Sequence, residues 1–400
     1  EDNLMVLVEW SMPGEASGPY LGKFYGNYTN GKGAMWRGNS FSTLSYFSSA
    51  SSADRPIIKF STASAVDVGL KLANVPLNWN GTEDFELIFY NAGYDTLLSF
   101  DVQWTLDGIM QENATWNGSL ALNDTAIFSM SHDEVETGFH SIEMLCVDPN
   151  GLADQDISNN AYSFYAYSCD GPLSGLYSVG EGEDFESLES ISYALNTCGI
   201  DGDVYFSFES GVYEGQLSLH SIEGTSPNDS VFFFAENANS SAVIWEYAAE
   251  DDFDNWVVNL DSSSYVQFKD ITLHASGTFD YSRLMVIHNG ASNIEIRSCQ
   301  LIGFEHNSFC GSGDCGEGDA IYISSVDGDT ISDIRIIDNY FKYNASAVYA
   351  LGDENHSIRS LYIEDNILRD QHRYGFHLEF INSPILKNNH IRSANTYAYT

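Results

Sequence analysis

Residues Ile334–Phe341 (IRIIDNYF) and Leu361–Leu368 (LYIEDNIL) match position by position, with apolar residues alternating up to a shared Asp-Asn. Three more segments fit the same alignment, the last more loosely: Val266–Leu273 (VQFKDITL), Ile294–Leu301 (IEIRSCQL) and Pro384–Ile391 (PILKNNHI). The sixth position of the alignment recurs at spacings of 28, 40, 27 and 23 residues, as Ile271, Cys299, Asn339, Asn366 and Asn389. A unit of this size that alternates like a strand is typical of coils that stack on one another. The sequence therefore predicts a parallel β-helix in this part of the chain.

The Asn residues of the sixth position have a structural interpretation. Side chains stacked at the same corner of successive coils can hydrogen-bond one another and free backbone groups. A buried amide without partners would be costly. We therefore expect Asn339, Asn366 and Asn389 to hold the coils together rather than to bind a ligand.

A second column is predicted on the strand that follows each aligned segment. The runs concerned are Ala320–Ser324, Ser346–Leu351, Tyr374–Phe380 and Thr396–Thr400. If the apolar residues on either side point inward, Tyr322, Tyr349 and His377 line up outside, about 4.8 Å apart. Exposed stacked rings suit the apolar faces of sugars, which makes these three residues candidate ligand-binding residues. The alternative is a ladder of rings that only stabilises the sheet.

The charge of the chain restricts its partners. Its 16 basic and 57 acidic residues give a net charge of −41. Such a surface repels phosphate backbones and anionic membranes, so nucleic-acid binding is excluded and divalent cations are natural small partners. Asp314, Glu317 and Asp319 lie in one Gly-rich stretch and are candidate calcium ligands; the alternative is an acidic loop without a ligand. No other cofactor is predicted.

The six cysteines predict disulfides and no zinc site, because their spacing does not suit a metal finger. Cys310 and Cys315 flank a short Gly-rich loop that a disulfide could close in an oxidising compartment. Cys299 occupies an inward position and is expected to be buried. For the other three, Cys146, Cys169 and Cys198, one bridge is possible, and the sequence does not choose the partners.

Length and turn signals divide the 400 residues into three segments. Residues 1–62 are predicted to form a partial or small β-rich module. Residues 63–169 read as a β-sandwich, because runs of alternation are separated by turn residues at roughly 8–12-residue intervals. The runs are Val66–Leu72, Asp84–Asn91, Ser99–Leu106, Ser119–Ser129, Gly138–Val147 and Ala161–Tyr167. Residues 170–400 are assigned to the β-helix, with a capping helix and the first strands in 170–219.

The sandwich segment resembles the CARDB module of bacterial and archaeal surface proteins, an immunoglobulin-like β-sandwich. The resemblance is carried by Asn91–Gly93 after the second strand, the Asp107–Gly108 turn and the closing Asp156–Asn160. It implies a spacer or adhesion domain and says almost nothing about a ligand.

The segment Gly175–Leu219 predicts the covered end of the coils. Asp184 or Ser187 can cap a helix over Leu188–Thr197, which Cys198-Gly199 ends. An amphipathic helix at this point shields the open end of a parallel coil. The same block, with Asp184-Phe185 and the run to Gln216, resembles right-handed parallel β-helix proteins of the pectate-lyase-like kind that Bacteroidota secrete by the type IX route. The resemblance covers about residues 170–400 and implies an extracellular, cell-surface location.

Enzymes share this fold, and their motifs can be checked. The Gly-x-Val-Asp-Phe-Ile-Phe-Gly type of pectin methylesterases is absent, as is the Gly-His-Gly of polygalacturonase-type hydrolases. Pectate-type lyases need acidic ligands on successive coils with a basic residue nearby. Asp338 and Asp365, followed by Arg369 and Arg373, could meet that need, but Asp-Asn at a corner is more often a turn.

The sequence leaves three functions open. The first is a non-enzymatic adhesin or carbohydrate-binding surface protein, the second a polysaccharide lyase or hydrolase acting on acidic glycans, and the third a structural stalk or filament component. Asp-Ser/Thr-apolar motifs, which Bacteroidota glycosylate, predict modification at Thr96, Thr125, Ser230 and Thr330. No apolar run approaches the roughly 18–20 residues that cross a bilayer. Because the chain starts at Glu1 and stops within a strand-like run (TYAYT), we expect a piece of a larger secreted polypeptide.

Overall fold

The computed structural model describes residues 28–33, 52–54, 64–74, 79, 83–132, 135–278, 280–305, 317–325 and 329–392. The chain divides into two compact units, Glu1–Ala63 and Ser64–Thr400. In the first unit, β1 (Tyr28–Gly33) pairs with β2 (Ser52–Asp54) in antiparallel orientation. Cys310, Asp314, Cys315 and the run Thr396–Thr400 lie outside the described residues.

The second unit begins with two antiparallel sheets that share one apolar core. Their strands are β3 (Val68–Asn74), β4 (Glu83–Asn91), β5 (Leu97–Leu106), β6 (Ile109–Met110), β7 (Ala114–Leu120), β8 (Thr125–His132), β9 (Gly138–Val147) and β10 (Ala161–Ser168). One sheet has the order β3-β4-β8, and the other has β10-β9-β5 with β6 and β7 on β5. Alternation positions the core: Ile142, Met144 and Cys146 of β9 are buried, and the residues between them are not.

One predicted run in this region was wrong. Ser119–Ser129 is not a single strand, because a turn between β7 and β8 interrupts it. Asn123 adopts a left-handed backbone there, with φ of +65°, and the backbone N–H of Asp124 donates to the carbonyl of Ala121. Asn and Asp tolerate this conformation better than other side chains, so Asn123-Asp124 is a turn signal inside an otherwise strand-like run.

The residues that carry the CARDB resemblance shape turns. The side chain of Asn91 is buried and donates to the carbonyls of Asp95 and Leu120. Asp107 accepts from the backbone N–H of Ser141 and lies 2.7 Å from Nδ1 of His140. These side chains satisfy backbone groups at strand ends, which is a structural role.

A helix joins the antiparallel sheets to the coils. After β11 (Leu173–Val179), α1 runs over Leu188–Cys198, one residue longer than predicted. The Ser187 hydroxyl accepts from the backbone N–H of Ser190, and Gly199 ends the helix at φ of +65°. The predicted cap helix is thus confirmed, with Ser187 as its N-cap. A disulfide, which the sequence left open, joins Cys169 after β10 to Cys198 at the helix end.

The remaining strands form three parallel sheets that the chain visits in turn. In chain order they are β12 (Ile200–Phe208), β13 (Gly211–Glu214), β14 (Leu217–Leu219), β15 (Val231–Ala235), β16 (Val243–Tyr247), β17 (Val258–Asp261), β18 (Ser264–Lys269), β19 (Thr272–Ala275), β20 (Met285–His288), β21 (Ser292–Arg297), β22 (Gln300–Ile302), β23 (Ile321–Ser324), β24 (Ser332–Ile337), β25 (Tyr340–Lys342), β26 (Ser346–Leu351), β27 (Ile358–Glu364), β28 (Ile367–Arg369), β29 (Tyr374–Glu379), β30 (Ile381–Asn382), β31 (Ile385–Lys387) and β32 (His390–Arg392).

Each sheet collects one strand from every coil. The first coil sheet is β11-β12-β15-β18-β21-β24-β27, with β30 and β31 both pairing with β27; the second is β13-β16-β19-β22-β25-β28-β32; the third is β14-β17-β20-β23-β26-β29. The aligned sequence segments pair in the predicted register, with Ile294 opposite Val266 and Ile334 and, further on, Leu361 opposite Ile334. The predicted coils are therefore confirmed as stacked parallel strands, and their right-handed sense remains a prediction.

The Asn column is confirmed as a structural feature. The side chain of Asn366 is fully buried and lies between its equivalents in the neighbouring coils. Its Nδ2 donates to the carbonyl of Ile336 and to Oδ1 of Asn389, both at 2.9 Å. Its Oδ1 accepts from the backbone N–H of Asn339 at 2.9 Å and lies 3.1 Å from Nδ2 of Asn339. These bonds link three successive coils.

The residue before each residue of the sixth position makes the corner between the first and second coil sheets. In five coils this position adopts a left-handed backbone with φ between +53° and +57°: Asp270, Ser298, Asp338, Asp365 and Asn388. Asp and Asn are among the few residues that adopt this conformation at low cost. The interpretation of Asp338 and Asp365 as turn residues is thereby confirmed.

Candidate functional site

Three rings form a continuous stack on the outer side of the third coil sheet, and we call this stack the ring ladder. Tyr322, Tyr349 and His377 occupy the same register position on β23, β26 and β29. The ring centroids are 6.0 Å apart for the two tyrosines and 4.3 Å apart for Tyr349 and His377, with planes inclined by 20° and 9°. The prediction that these side chains stack outside the coils is confirmed, while a ligand-binding role remains a prediction.

The ladder faces outward because its strand neighbours fill the core. Ile321 and Ile323 of β23, like Val348 and Ala350 of β26, have no exposed surface. A strand with period two must then place the residue between them on the opposite side.

Charged groups from the connections between the second and third coil sheets surround the ladder. The guanidinium carbon of Arg283 lies 4.2 Å from the centroid of the Tyr322 ring, and its Nη1 is 2.5 Å from Oε2 of Glu317. At the other end, Arg373 lies over Tyr374 at 4.9 Å. Arginine over a ring face is favourable, and the pairing also keeps guanidinium donors beside the ring surface.

Further polar groups continue this face. Nε2 of His377 is 2.8 Å from Oε1 of Glu379, and the Tyr374 ring lies against His377 at a centroid distance of 5.2 Å. The face therefore combines ring surfaces with both hydrogen-bond donors and acceptors. Sugars present apolar ring faces together with hydroxyl groups, so this combination suits them.

Asp319, two residues before β23, is the most buried carboxyl group of the site. Burial raises its pKa above the ordinary value of 3.8; the Ser346 hydroxyl and the charges of Arg283 and Arg373 act in the opposite direction. Burial also raises the pKa of Tyr349, with Asp319 contributing to the increase. A carboxyl group with a raised pKa shares that property with general acids.

The predicted calcium ligands Glu317 and Asp319 lie in different environments. Glu317 is paired with Arg283, and Asp319 is buried with a raised pKa. A hard cation needs several ionised oxygen ligands, so these two carboxyl groups fit such a site poorly. Among the described residues no group of three His, Cys, Asp or Glu side chains could hold a metal ion, and Asp314 lies outside them. Calcium binding remains a prediction.

The predicted glycosylation sites differ in exposure, and the two free cysteines of the described residues are buried. Thr96 and Thr125 are exposed, whereas Ser230 and Thr330 are half-buried, and glycosylation at all four remains a prediction. Cys146 and Cys299 are free, and burial raises the pKa of both thiols to about 12. Thiols that stay protonated at neutral pH are poor nucleophiles.

Replacement of Asp319 by asparagine is expected to raise the melting temperature at pH 7. An acid whose pKa is raised on folding binds its proton more tightly in the folded state, so its contribution to stability falls as pH rises from the unfolded to the folded pKa. The gain of the variant should therefore disappear at pH 3, where the carboxyl group is protonated in both states. Calorimetry at the two pH values measures this, with the exposed Asp201→Asn as control. A lower melting temperature of Asp319→Asn at pH 7 would show that Arg283 and Arg373 outweigh the cost of burial.

Comparison with protein family models gives no match, and no curated protein matches the chain. Among solved structures, the CARDB domain of a Pyrococcus furiosus protein, solved with di-metal ions, is 17% identical and matches 27% of this chain and 97% of its own, with a TM-score of 0.24. A cell-surface-assigned domain from Methanosarcina acetivorans is 17% identical over 26% of this chain and 93% of its own, with a TM-score of 0.23. The catalytic domain of Agl-KA is 9% identical over 79% of this chain and 70% of its own, with a TM-score of 0.24. Scores this low say nothing about the activity or ligands of this chain.

Proposed function

We propose that this is an extracellular cell-surface protein that binds carbohydrate, without cleaving it, on the ring ladder of a right-handed parallel β-helix. The observation that carries the proposal is the stack of Tyr322, Tyr349 and His377, flanked by Arg283 and Glu379. Rings stacked at the spacing of successive coils present their edges as a continuous apolar strip, and the charged groups beside it supply bonds for hydroxyl groups. The CARDB-like sandwich would act as a spacer or adhesion domain.

Two further observations support an extracellular location. The Cys169–Cys198 disulfide requires an oxidising compartment, in which secreted and surface proteins fold. The net charge of −41 keeps a protein soluble and discourages contact with anionic membranes. Within the described part of the chain, no helix is long and apolar enough to cross a membrane. Export by the type IX route of Bacteroidota belongs to the same proposal and rests on the sequence resemblance.

Tyr349→Ala is expected to weaken polysaccharide binding by about tenfold, because the variant removes the central ring of the stack. The wild type and variant are compared by retention on a panel of immobilised plant and marine polysaccharides, with and without calcium. Tyr362→Ala is the matched control, because Tyr362 is an outward ring on the first coil sheet with an arginine over it, Arg335 at 5.5 Å. If no polysaccharide retains the wild-type protein, the carbohydrate proposal is wrong and a structural stalk is favoured.

A second candidate function is a polysaccharide hydrolase or lyase, and Asp319 is the observation that favours it. Its raised pKa and its position near Tyr349 and Arg373 suit an acid that protonates a leaving group. New reducing or unsaturated ends in the incubated polysaccharides would establish this activity and overturn the non-enzymatic proposal. An enzyme that uses Asp319 should lose product formation in Asp319→Asn while still binding the polymer.

A further inference from the structure

A groove of about 330 Å³ lies on the outer side of the first coil sheet, away from the third coil sheet that carries the ring ladder. Its floor is built from outward residues of four consecutive strands, β12, β15, β18 and β21. In one register column these are Tyr205, Phe232, Gln267 and Glu295. The neighbouring column contributes Phe234, Lys269 and Arg297. The groove is therefore aromatic on its first two strands and polar on the next two.

The aromatic half consists of rings that the core does not use. Tyr205 and Phe232 stack with centroids 4.6 Å apart and planes inclined by 8°. The core is filled by their inward neighbours, Phe206 and Phe233, which have no exposed surface. Tyr205 and Phe232 are only half-buried, so two large rings remain in contact with water on a flat sheet. Adjacent exposed rings of this kind often mark a binding surface.

The polar half offers donors and acceptors in alternation. Nε of Arg297 donates to Oε1 of Glu295 at 2.7 Å, and Nε of Arg335 approaches the other carboxylate oxygen at 3.2 Å. The Lys269 side chain is 57% exposed, so its ammonium group is accessible even though Asp270 lies 3.9 Å away. No lysine or arginine occurs in the sequence between Lys71 and Lys269. Two of the first three basic residues after that gap thus line this groove.

We propose that this groove is a binding site for a neutral saccharide of about two sugar units. The outward edges of the Tyr205 and Phe232 rings would contact the apolar face of one sugar, and Gln267, Glu295 and Arg297 would bond the hydroxyl groups of the next. Hydroxyl groups both donate and accept, which matches a mixture of amide, carboxylate and guanidinium better than it matches a cluster of one charge. The volume lies at the lower end of the range of ligand pockets, which is the size of a short saccharide.

Charge favours a neutral saccharide over an acidic one. Glu236, Asp270 and Glu295 line the same groove as Lys269 and Arg297, so a carboxylate on the ligand would meet at least as much negative as positive charge. The net charge of −41 adds a long-range repulsion. The site does not depend on the ring ladder, because the two lie on different sheets.

The test is isothermal titration of the full chain with cellohexaose, xylohexaose and mannohexaose, and with hexagalacturonate as the charged comparison. We expect at least one neutral hexasaccharide to bind, and Phe232→Val to weaken that binding about three- to tenfold. Valine suits an exposed strand position, and an unchanged melting temperature would show that the variant is folded. Gln267→Leu should weaken binding without removing a ring.

Two control variants separate this site from the rest of the surface. Tyr362→Val changes an outward ring at the far end of the same column and should leave binding unchanged. Because the ring ladder is itself proposed to bind carbohydrate, the titrations are repeated in the Tyr349→Ala background, where Phe232→Val should still weaken the binding that remains. The proposal is overturned if none of the neutral hexasaccharides binds the wild type, if only hexagalacturonate binds, or if Phe232→Val leaves the binding that remains in Tyr349→Ala unchanged.

Discussion

Asn366→Ala is expected to lower the free energy of unfolding of the coils by about 3 kcal/mol or more. The side chain lies between Asn339 and Asn389 and makes hydrogen bonds to both, and to the carbonyl of Ile336. Its removal leaves the backbone N–H of Asn339 and the Ile336 carbonyl without these partners in the buried core. Each unsatisfied buried group costs on the order of 1–3 kcal/mol, so the loss exceeds that of an ordinary truncation.

Urea denaturation followed by circular dichroism measures this loss. The matched control is Asn355→Ala, which removes the same side chain from an exposed position between β26 and β27 and should change stability by less than about 0.5 kcal/mol. Equal midpoints for the two variants would mean that water replaces the missing amide and that the Asn column contributes little.

Loss of the Cys169–Cys198 disulfide should lower the stability of the coils and their cap helix by about 3–4 kcal/mol. The bridge joins residues 29 apart in sequence and closes the loop that contains β11 and α1. In the chain-entropy account, a cross-link of this length restricts the unfolded chain, and its removal returns that freedom. Without the bridge, the helix that covers the end of the core should unfold at a lower denaturant concentration than the later coils.

The double variant Cys169→Ser/Cys198→Ser is compared with the wild type in the presence and absence of a thiol reductant. The reductant should destabilise the wild type to the level of the variant and leave the variant unchanged. Cys146 and Cys299 are buried free thiols present in both proteins, so they do not distinguish them. A wild type that is indifferent to the reductant while the variant is destabilised would point to lost packing rather than to the cross-link.

The coils were predictable because their signal is local and repeated. The alternation in Ile334–Phe341 and its equivalents determines which side chains are buried, and the shared Asn marks the corner. The helix Leu188–Cys198 was predictable for a similar reason, since its cap and its apolar stripe lie within a dozen residues.

The surroundings of the ring ladder were not predictable, because they come from segments without a repeat. Arg283 reaches Tyr322 from one connection and Asp319 is buried in the next, and these two connections differ in length. The partner of Cys198 was left open for the same reason. The outward stack of Tyr205 and Phe232 depends on the register between two strands, which the sequence VFFFA does not determine.

The left-handed corner before each residue of the sixth position restricts where this protein can accept insertions in evolution. In five successive coils the connection from the first to the second coil sheet contains two residues, from Asp270-Ile271 to Asn388-Asn389. An insertion there would displace the buried side chain and break the alignment of every later coil. The connection from the second to the third coil sheet spans Ala275 to Met285 in one coil and only Lys342 to Ser346 in another. Chain length therefore varies beside Tyr322 and Tyr349, so that edge can change in evolution without altering the stacked strands.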